Sequence, residues 1–282
     1  MSTDSKSRGE EYGVVHRLNR TARSLLDFLV GELGVEIERA KFLVDLGSIY
    51  VDGQRERNPL AVLGAESEVR AHLEPRRFKV PGLKDRIVES RPGFYVVDKP
   101  SGLPTHALVD NAKENLIVGL GAELREELFI THRLDVETGG LIVIARNKVS
   151  QSEINASIAS RKIRRSYIAF VENEVETGTK IHYLEPSPKA PKRVSKNPVE
   201  GWLRCELVVK SCRAGKYLES YSGFEVEIEL VTGRAQQIRA QLSELGSPIL
   251  GDMQYGSKHS FTDPSTDGRA IALRAKSLSG LP

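Results

Sequence analysis

The sequence predicts an α+β protein: a mixed, mainly antiparallel sheet with flanking helices, preceded by a small α/β module. Two observations carry this. Strand-like and helix-like patterns mix along the 282 residues without the strict strand-helix-strand order of a parallel sheet. A compact helix-helix-strand pattern opens the chain, and residues 75–93 (PRRFKVPGLKDRIVESRPG), with the Pro, Arg, Lys and Gly of a linker, set it apart.

The elements follow in order. The polar start MSTDSKSRGEEYG, residues 1–13, is expected to be a disordered tail. Leu25, Leu26, Phe28, Leu29 and Leu33 recur at helical spacing up to Gly34. Ile37, Ala40, Leu43, Val44 and Leu46 form the face of a second helix that stops at Gly47. A strand over 48–51 runs into the Asp52-Gly53 turn, and 60–73 reads as a strand pair around Gly64. The module is thus placed at 14–75, a linker at 76–85 and a larger domain at 86–282. In that domain, strands are predicted over 94–97, 141–145, 165–171 and 224–231. Helices are predicted over 149–159 and 236–245, the latter ended by Gly246, and a proline-punctuated basic loop over 185–200.

Hydrophobic residues make up 39% of the chain and charged residues 28%, which is ordinary for a globular protein. The net charge of +3 and pI near 8.8 give a mild basic excess. No apolar run reaches the ~18–20 residues of a membrane span, and the start lacks a signal-peptide core. Cys205 and Cys212 suggest neither a disulfide framework nor a zinc knuckle, so a reduced cytoplasmic setting is expected. No histidines pair at metal-ligand spacing, and the phosphate-binding glycine motifs are missing. No metal, nucleotide or redox cofactor is expected.

Three stretches could carry chemistry. In THRLDVETGGLIVIARNK, 131–148, a charged tetrapeptide and a glycine-hinged turn precede an apolar strand. There Asp135, flanked by Arg133, reads either as an ionised nucleophile or base in a cleft or as a solvated loop ion pair. In VTGRAQQIRAQL, 231–242, Arg234 and Arg239 span a strand-to-helix transition. They suit carboxylate or phosphate, or an exposed basic helix start. In RKIRRSY, 161–167, Tyr167 beside Arg164 and Arg165 suits a stacked base with phosphates nearby, or a core tyrosine after a solvated helix end.

Together these stretches resemble the RluA-type family of RNA pseudouridine synthases. Tyr95-Val-Val-Asp-Lys-Pro-Ser-Gly-Leu-Pro-Thr-His106 is similar to the family's VVNKPaGlpvH segment. His132-Arg-Leu-Asp135 with Thr138 and Gly140-Leu-Ile-Val-Ile-Ala-Arg146 is similar to HRLDxxTSGLLLxAr. Arg161-x-Ile-x-Arg-x-Tyr167 resembles RxVxKxY, Thr232-Gly-Arg-x-x-Gln-Ile-Arg239 resembles TGRxHQIR, and Pro248-Ile-Leu-Gly-Asp252 with Tyr255-Gly256 resembles PIxGDxxYG. Residues 14–75 resemble the S-four-like RNA-binding module of a ribosomal protein, with Arg17, Arg20 and Arg39 as phosphate contacts beside Arg23 and Lys41.

The resemblance implies a pseudouridine synthase-like sheet and isomerisation of uridine in RNA, with ribosomal RNA as first choice and transfer RNA as second. It implies no cofactor; a cytoplasmic monomer is expected. It makes Asp135 the essential group. Arg239 is expected to pair with it and depress its pKa, Tyr167 to stack on the flipped uracil, and Ile238 to close the apolar wall. His132, Arg133, Arg164, Arg165, Arg234 and Gln237 are expected to line the RNA site, with Arg133 entering the space the base vacates. The chain departs from the family at Gly139 for serine, Arg165 for lysine, Ala235-Gln236 for a pair ending in histidine, and Arg274 for histidine. Gly139 is expected to loosen the turn after Asp135. These departures motivate a second reading, an RNA-binding protein on the same scaffold without catalysis. A base-releasing glycosidase would usually need a second carboxylate near Asp135, and the sequence singles out none.

Overall fold

The computed structural model describes residues 13–20 and 23–282. The tail expected over 1–13 lies, but for Gly13, outside the described residues. The chain forms two compact units. One holds the described residues up to Phe78 together with His106–Asn115; the other holds Lys79–Thr105 and Leu116–Pro282.

In the first unit β1 (Val14–Leu18) precedes α1 (Leu25–Asp27), which continues as a π-helical turn over Phe28–Glu32. Ser24 caps α1 by accepting from the Asp27 amide at 3.1 Å. The helix α2 (Ile37–Leu46) starts at Glu36, which accepts from the Arg39 amide at 2.9 Å. It ends at left-handed Gly47, whose φ is +78°. Strands β2 (Ile49–Val51), β3 (Gln54–Arg55) and β4 (Glu68–His72) complete a sheet in the order β1-β4-β2-β3. Leu25, Phe28, Leu29, Leu43, Ile49 and Val69 are fully buried between helices and sheet. Burial of such side chains contributes about 1.5–3 kcal/mol each.

Two expectations are corrected here. The strand pair over 60–73 is one strand, β4, whose partners are β1 and β2; of the earlier half, Val62 makes only an isolated bridge to Ser24. Residues 76–85 are not a free linker. Arg76 grips Asp110 through Nε and Nη2 at 2.9 and 2.7 Å, Arg77 pairs with Glu114, and Leu83 is fully buried.

The second unit is built on one large sheet. Its elements are β5 (Ile87–Ser90), β6 (Phe94–Lys99), α3 (Leu116–Leu124), β7 (Phe129–Ile130), β8 (Gly139–Ala145) and α4 (Lys148–Ala159). They continue with β9 (Arg164–Val171), β10 (Gly178–Leu184), β11 (Val194–Ser195), β12 (Leu203–Tyr217), β13 (Tyr221–Leu230) and α5 (Gln237–Glu244). A two-stranded hairpin, β14 (Phe261–Asp263) with β15 (Gly268–Ala270), precedes β16 (Leu273–Ser279). The sheet order is β11-β10-β12-β13-β9-β16-β8-β6-β5, with β7 also on β8. Its pairs are antiparallel except β16 with β8, so the expected mixed, mainly antiparallel sheet with flanking helices is observed.

Candidate active site

Asp135 sits in the turn between β7 and β8, and the backbone there is held at every step. Thr105 Oγ1 donates to the Leu134 carbonyl at 2.8 Å and accepts from the Leu134 amide at 3.2 Å. The Gly102 amide donates to the Val136 carbonyl, the Thr138 amide to Asp135, and the Ile271 amide to Glu137. Gly140 then enters β8 with φ +107°, where a Cβ would fall on the Ala275 backbone of β16. Only glycine allows that approach, so β16 closes against the turn. About a quarter of the Asp135 side chain (26%) remains open to solvent.

Behind it lies Arg239 of α5, 2% exposed. Its Nε and Nη2 donate to the two oxygens of buried Asp252 at 2.7 and 2.9 Å, and Nη2 also donates to Gln254 at 3.2 Å. Its Nη1 donates to Glu137 at 3.1 Å and stands 3.7 Å from Asp135 Oδ2. The guanidinium also lies over the Tyr255 ring, 5.2 Å from its centroid. The expected Arg239–Asp135 pair is therefore present as an ion pair, but the hydrogen bonds go to Asp252, Glu137 and Gln254. A second expectation fails outright. Burial pushes the Asp135 carboxyl above its ordinary value; Arg239 opposes this, and Glu137 adds to it.

Lys99, the last residue of β6, is fully buried, and its three N–H groups donate to the carbonyls of Leu103, Pro100 and Val136 at 2.7, 2.9 and 3.3 Å. Burial pulls its ammonium down to about 7, against the nearby carboxylates of Asp135 and Glu137. Tyr167 of β9 is buried at 5% exposure, and desolvation raises its phenol to about 12, so it stays neutral. Ile238 is buried next to Arg239 on α5. Half-buried His132 accepts from the Val143 amide through Nε2 at 3.3 Å, and burial with Arg165 nearby pulls its ring down to about 3. It is a neutral, orienting imidazole.

The remaining expected residues divide. Arg133, Arg164 and Arg234 are exposed, and half-buried Arg165 lays its guanidinium against Gly233. Gln237 leaves the list of RNA contacts. Its Oε1 accepts from Thr232 Oγ1 and the Arg234 amide, and its Nε2 donates to the Glu206 carbonyl and Gln241 Oε1, so its amide is filled within the protein. In the first unit Arg17, Arg20 and Arg39 are exposed. Arg39 is steadied over the Phe42 ring and by the Leu73 carbonyl. Lys41 is tied to Glu38.

The departures from the family pattern are accommodated. Gly139 lies in β8 opposite Arg274 of β16, and a Cβ there would stand 2.9 Å from Ser101 Oγ and 3.4 Å from Arg274 Nη1. The close neighbour of such a Cβ is the Ser101 hydroxyl, while Arg274 pairs with Asp98 through Nη2. Gln236 accepts a hydrogen bond from Tyr255 at 2.7 Å. Sequence reasoning missed Lys99, Glu137 and Asp252. The second carboxylate missing from the sequence reading is Glu137, itself bound by Arg239.

The chain with this mixed sheet and acidic turn is matched over residues 93–244 by the model of a family described as RNA pseudouridylate synthase. That is more than half of the chain, and the chain belongs to this family. Among relatives it is 29% identical to RNA pseudouridine synthase 6, chloroplastic, of Oryza sativa subsp. japonica over 222 residues, 71% of this chain and 46% of that protein. It is 26% identical to ribosomal large subunit pseudouridine synthase D of Xanthomonas campestris pv. campestris over 257 residues, 88% of this chain and 76% of that protein. It spans about half the length of the plant relatives from rice and Arabidopsis thaliana. The fold is similar to that of human RNA pseudouridylate synthase domain containing 1, with a TM-score of 0.54 and 22% identity over 72% of this chain and 80% of the other.

Proposed function

We propose that this protein isomerises uridine to pseudouridine in RNA, with ribosomal RNA as substrate. The observation that carries the reading is Asp135: a partly open carboxylate on a rigid turn, 3.7 Å from a buried guanidinium, with a neutral buried tyrosine nearby in the same unit. In the reaction the glycosidic N–C bond breaks, the uracil turns, and a C–C bond forms. The ring carbon that joins the sugar loses its proton, and the freed nitrogen gains one. Atoms and electrons balance without a cofactor.

Asp135, ionised, is the group that engages the nucleotide. The base must leave its stack, at a cost of a few kcal/mol. Exposed Arg133 fills the vacated space, Tyr167 stacks on the uracil, and Ile238 closes the wall. Arg164, Arg165 and Arg234 meet phosphates. In the first unit, read as an S-four-like module, Arg17, Arg20 and Arg39 add backbone contacts. The ribosomal preference rests on likeness to a relative named for the large subunit. We expect the protein to act as a monomer. Among the described residues no helix is long and apolar enough to cross a membrane, and we place the protein in the cytoplasm.

RNA carrying tritium on the ring carbon of uridine tests this. Tritium release with the base still attached is expected, and Asp135→Asn is expected to abolish it while largely sparing RNA affinity. Free uracil, or binding without either product, overturns the reading.

A further inference from the structure

Three carboxylates crowd one guanidinium, and they are not served equally. Asp252 takes two charge-assisted hydrogen bonds from Arg239 and Glu137 takes one, while Asp135 has only the 3.7 Å approach to Nη1. Glu137 and Asp135 draw on the same nitrogen. They lie two residues apart on a turn whose carbonyls at 135, 136 and 137 each accept a backbone amide, so neither can withdraw by moving the chain. We propose that Glu137 is a positioning residue that governs the charge state of Asp135 by occupying the arginine nitrogen both carboxylates face. The inference rests on the role given to Asp135 above.

The other charged and titratable groups around Asp135 come from several elements. Lys99 reaches it from β6, Arg239 from α5, and Asp252 from the loop after α5. Tyr167 on β9 and Tyr255 in the Met253–Tyr255 turn are phenols that stay protonated. Two cations thus face three carboxylates, and Asp135 is the one without a hydrogen bond from the arginine. Glu137 touches no reacting atom; it acts through Arg239 and through its own negative charge.

With glutamine at 137 the like charge is gone, and the bond from Nη1 goes to a neutral amide oxygen instead of a carboxylate, so it competes less with the approach to Asp135. The acid limb of the rate should then move to lower pH. Single-turnover tritium release is measured against pH for wild type, Glu137→Gln and Glu137→Asp. The expected result is a limb lowered by about half a unit or more in Glu137→Gln, roughly a threefold gain in rate at a pH on the limb. Glu137→Asp keeps the charge and should hold the limb close to wild type. An unmoved limb in Glu137→Gln, or a folded Glu137→Gln with no rate at any pH, overturns the inference. Should that variant not fold, carboxyl-carbon NMR titration of the wild type decides. Asp135 must titrate above the ordinary aspartate value, and titration at or below that value overturns the inference. Tritium release by Asp135→Asn would instead overturn the reading of Asp135 on which all this stands.

Discussion

At the scale of single residues, the site depends on charges removed from water. Lys99 shows this most directly, because a fully buried ammonium persists only by giving its protons to the Leu103, Pro100 and Val136 carbonyls. Its ordinary value near 10.5 falls to about 7 in the folded chain. Between these values the unfolded chain holds a proton that the folded chain has released, so stability rises with pH across that window. Below about 7 both states are charged and the contribution is lost. Denaturant unfolding at pH 7 and pH 9 should therefore show a gain for wild type that is missing in Lys99→Met; equal gains in both would contradict the burial argument. Asp135 stood out in the sequence as a candidate because its charged neighbours and following glycines are adjacent in the chain, while its role came only from the family resemblance. Glu137 and Asp252 did not, because their roles exist only once α5 brings Arg239 to them, about a hundred residues from the one and thirteen from the other.

At the scale of elements, periodic patterns with local caps were legible and non-local pairings were not. The second helix was readable from its apolar face and its Gly47 stop. The strand β12 was legible only in part, as strand and turn around Cys205 and Cys212, because its alternation at Cys205, Leu207 and Val209 gives way, past a bulge, to polar and small residues. Its hairpin with β13 turns through Leu218 and Glu219, both at positive φ, in place of the Asn-Gly or Asp-Gly that announces such a turn. The parallel pairing of β8 and β16 joins residues far apart in sequence, so the match between Gly139 and Arg274 was equally invisible. That match has a measurable outcome. Gly139→Ser alone should cost about 1 kcal/mol or less, because Ser101 Oγ can rotate away and Arg274 is the further neighbour. Adding Arg274→His should recover part of it, with a coupling of about 0.5 kcal/mol or more in a double-mutant cycle. Strict additivity would show that the two departures are unrelated.

At the scale of the whole molecule, two compact units divide the proposed work, chemistry in one and additional RNA-backbone binding in the other. Replacing Arg17, Arg20 and Arg39 by alanine should weaken RNA binding and flatten its salt dependence by roughly one in slope for each phosphate no longer neutralised, while the rate at saturating RNA changes little. A salt dependence identical to wild type would remove the first unit from the RNA-binding surface. The boundary between the units also differs from a simple tandem arrangement, since residues 106–115 belong with the first unit although the chain on either side belongs to the second. Asp110, Asn111 and Glu114 in that stretch depend on the side chains and backbone of residues 76–78. A protease cut or a gene truncation at residue 79 would therefore not release a clean catalytic fragment. It would leave a ten-residue flap stripped of its arginines within the polypeptide that carries Asp135, so an engineer seeking a minimal enzyme must redesign that flap as well as delete the front.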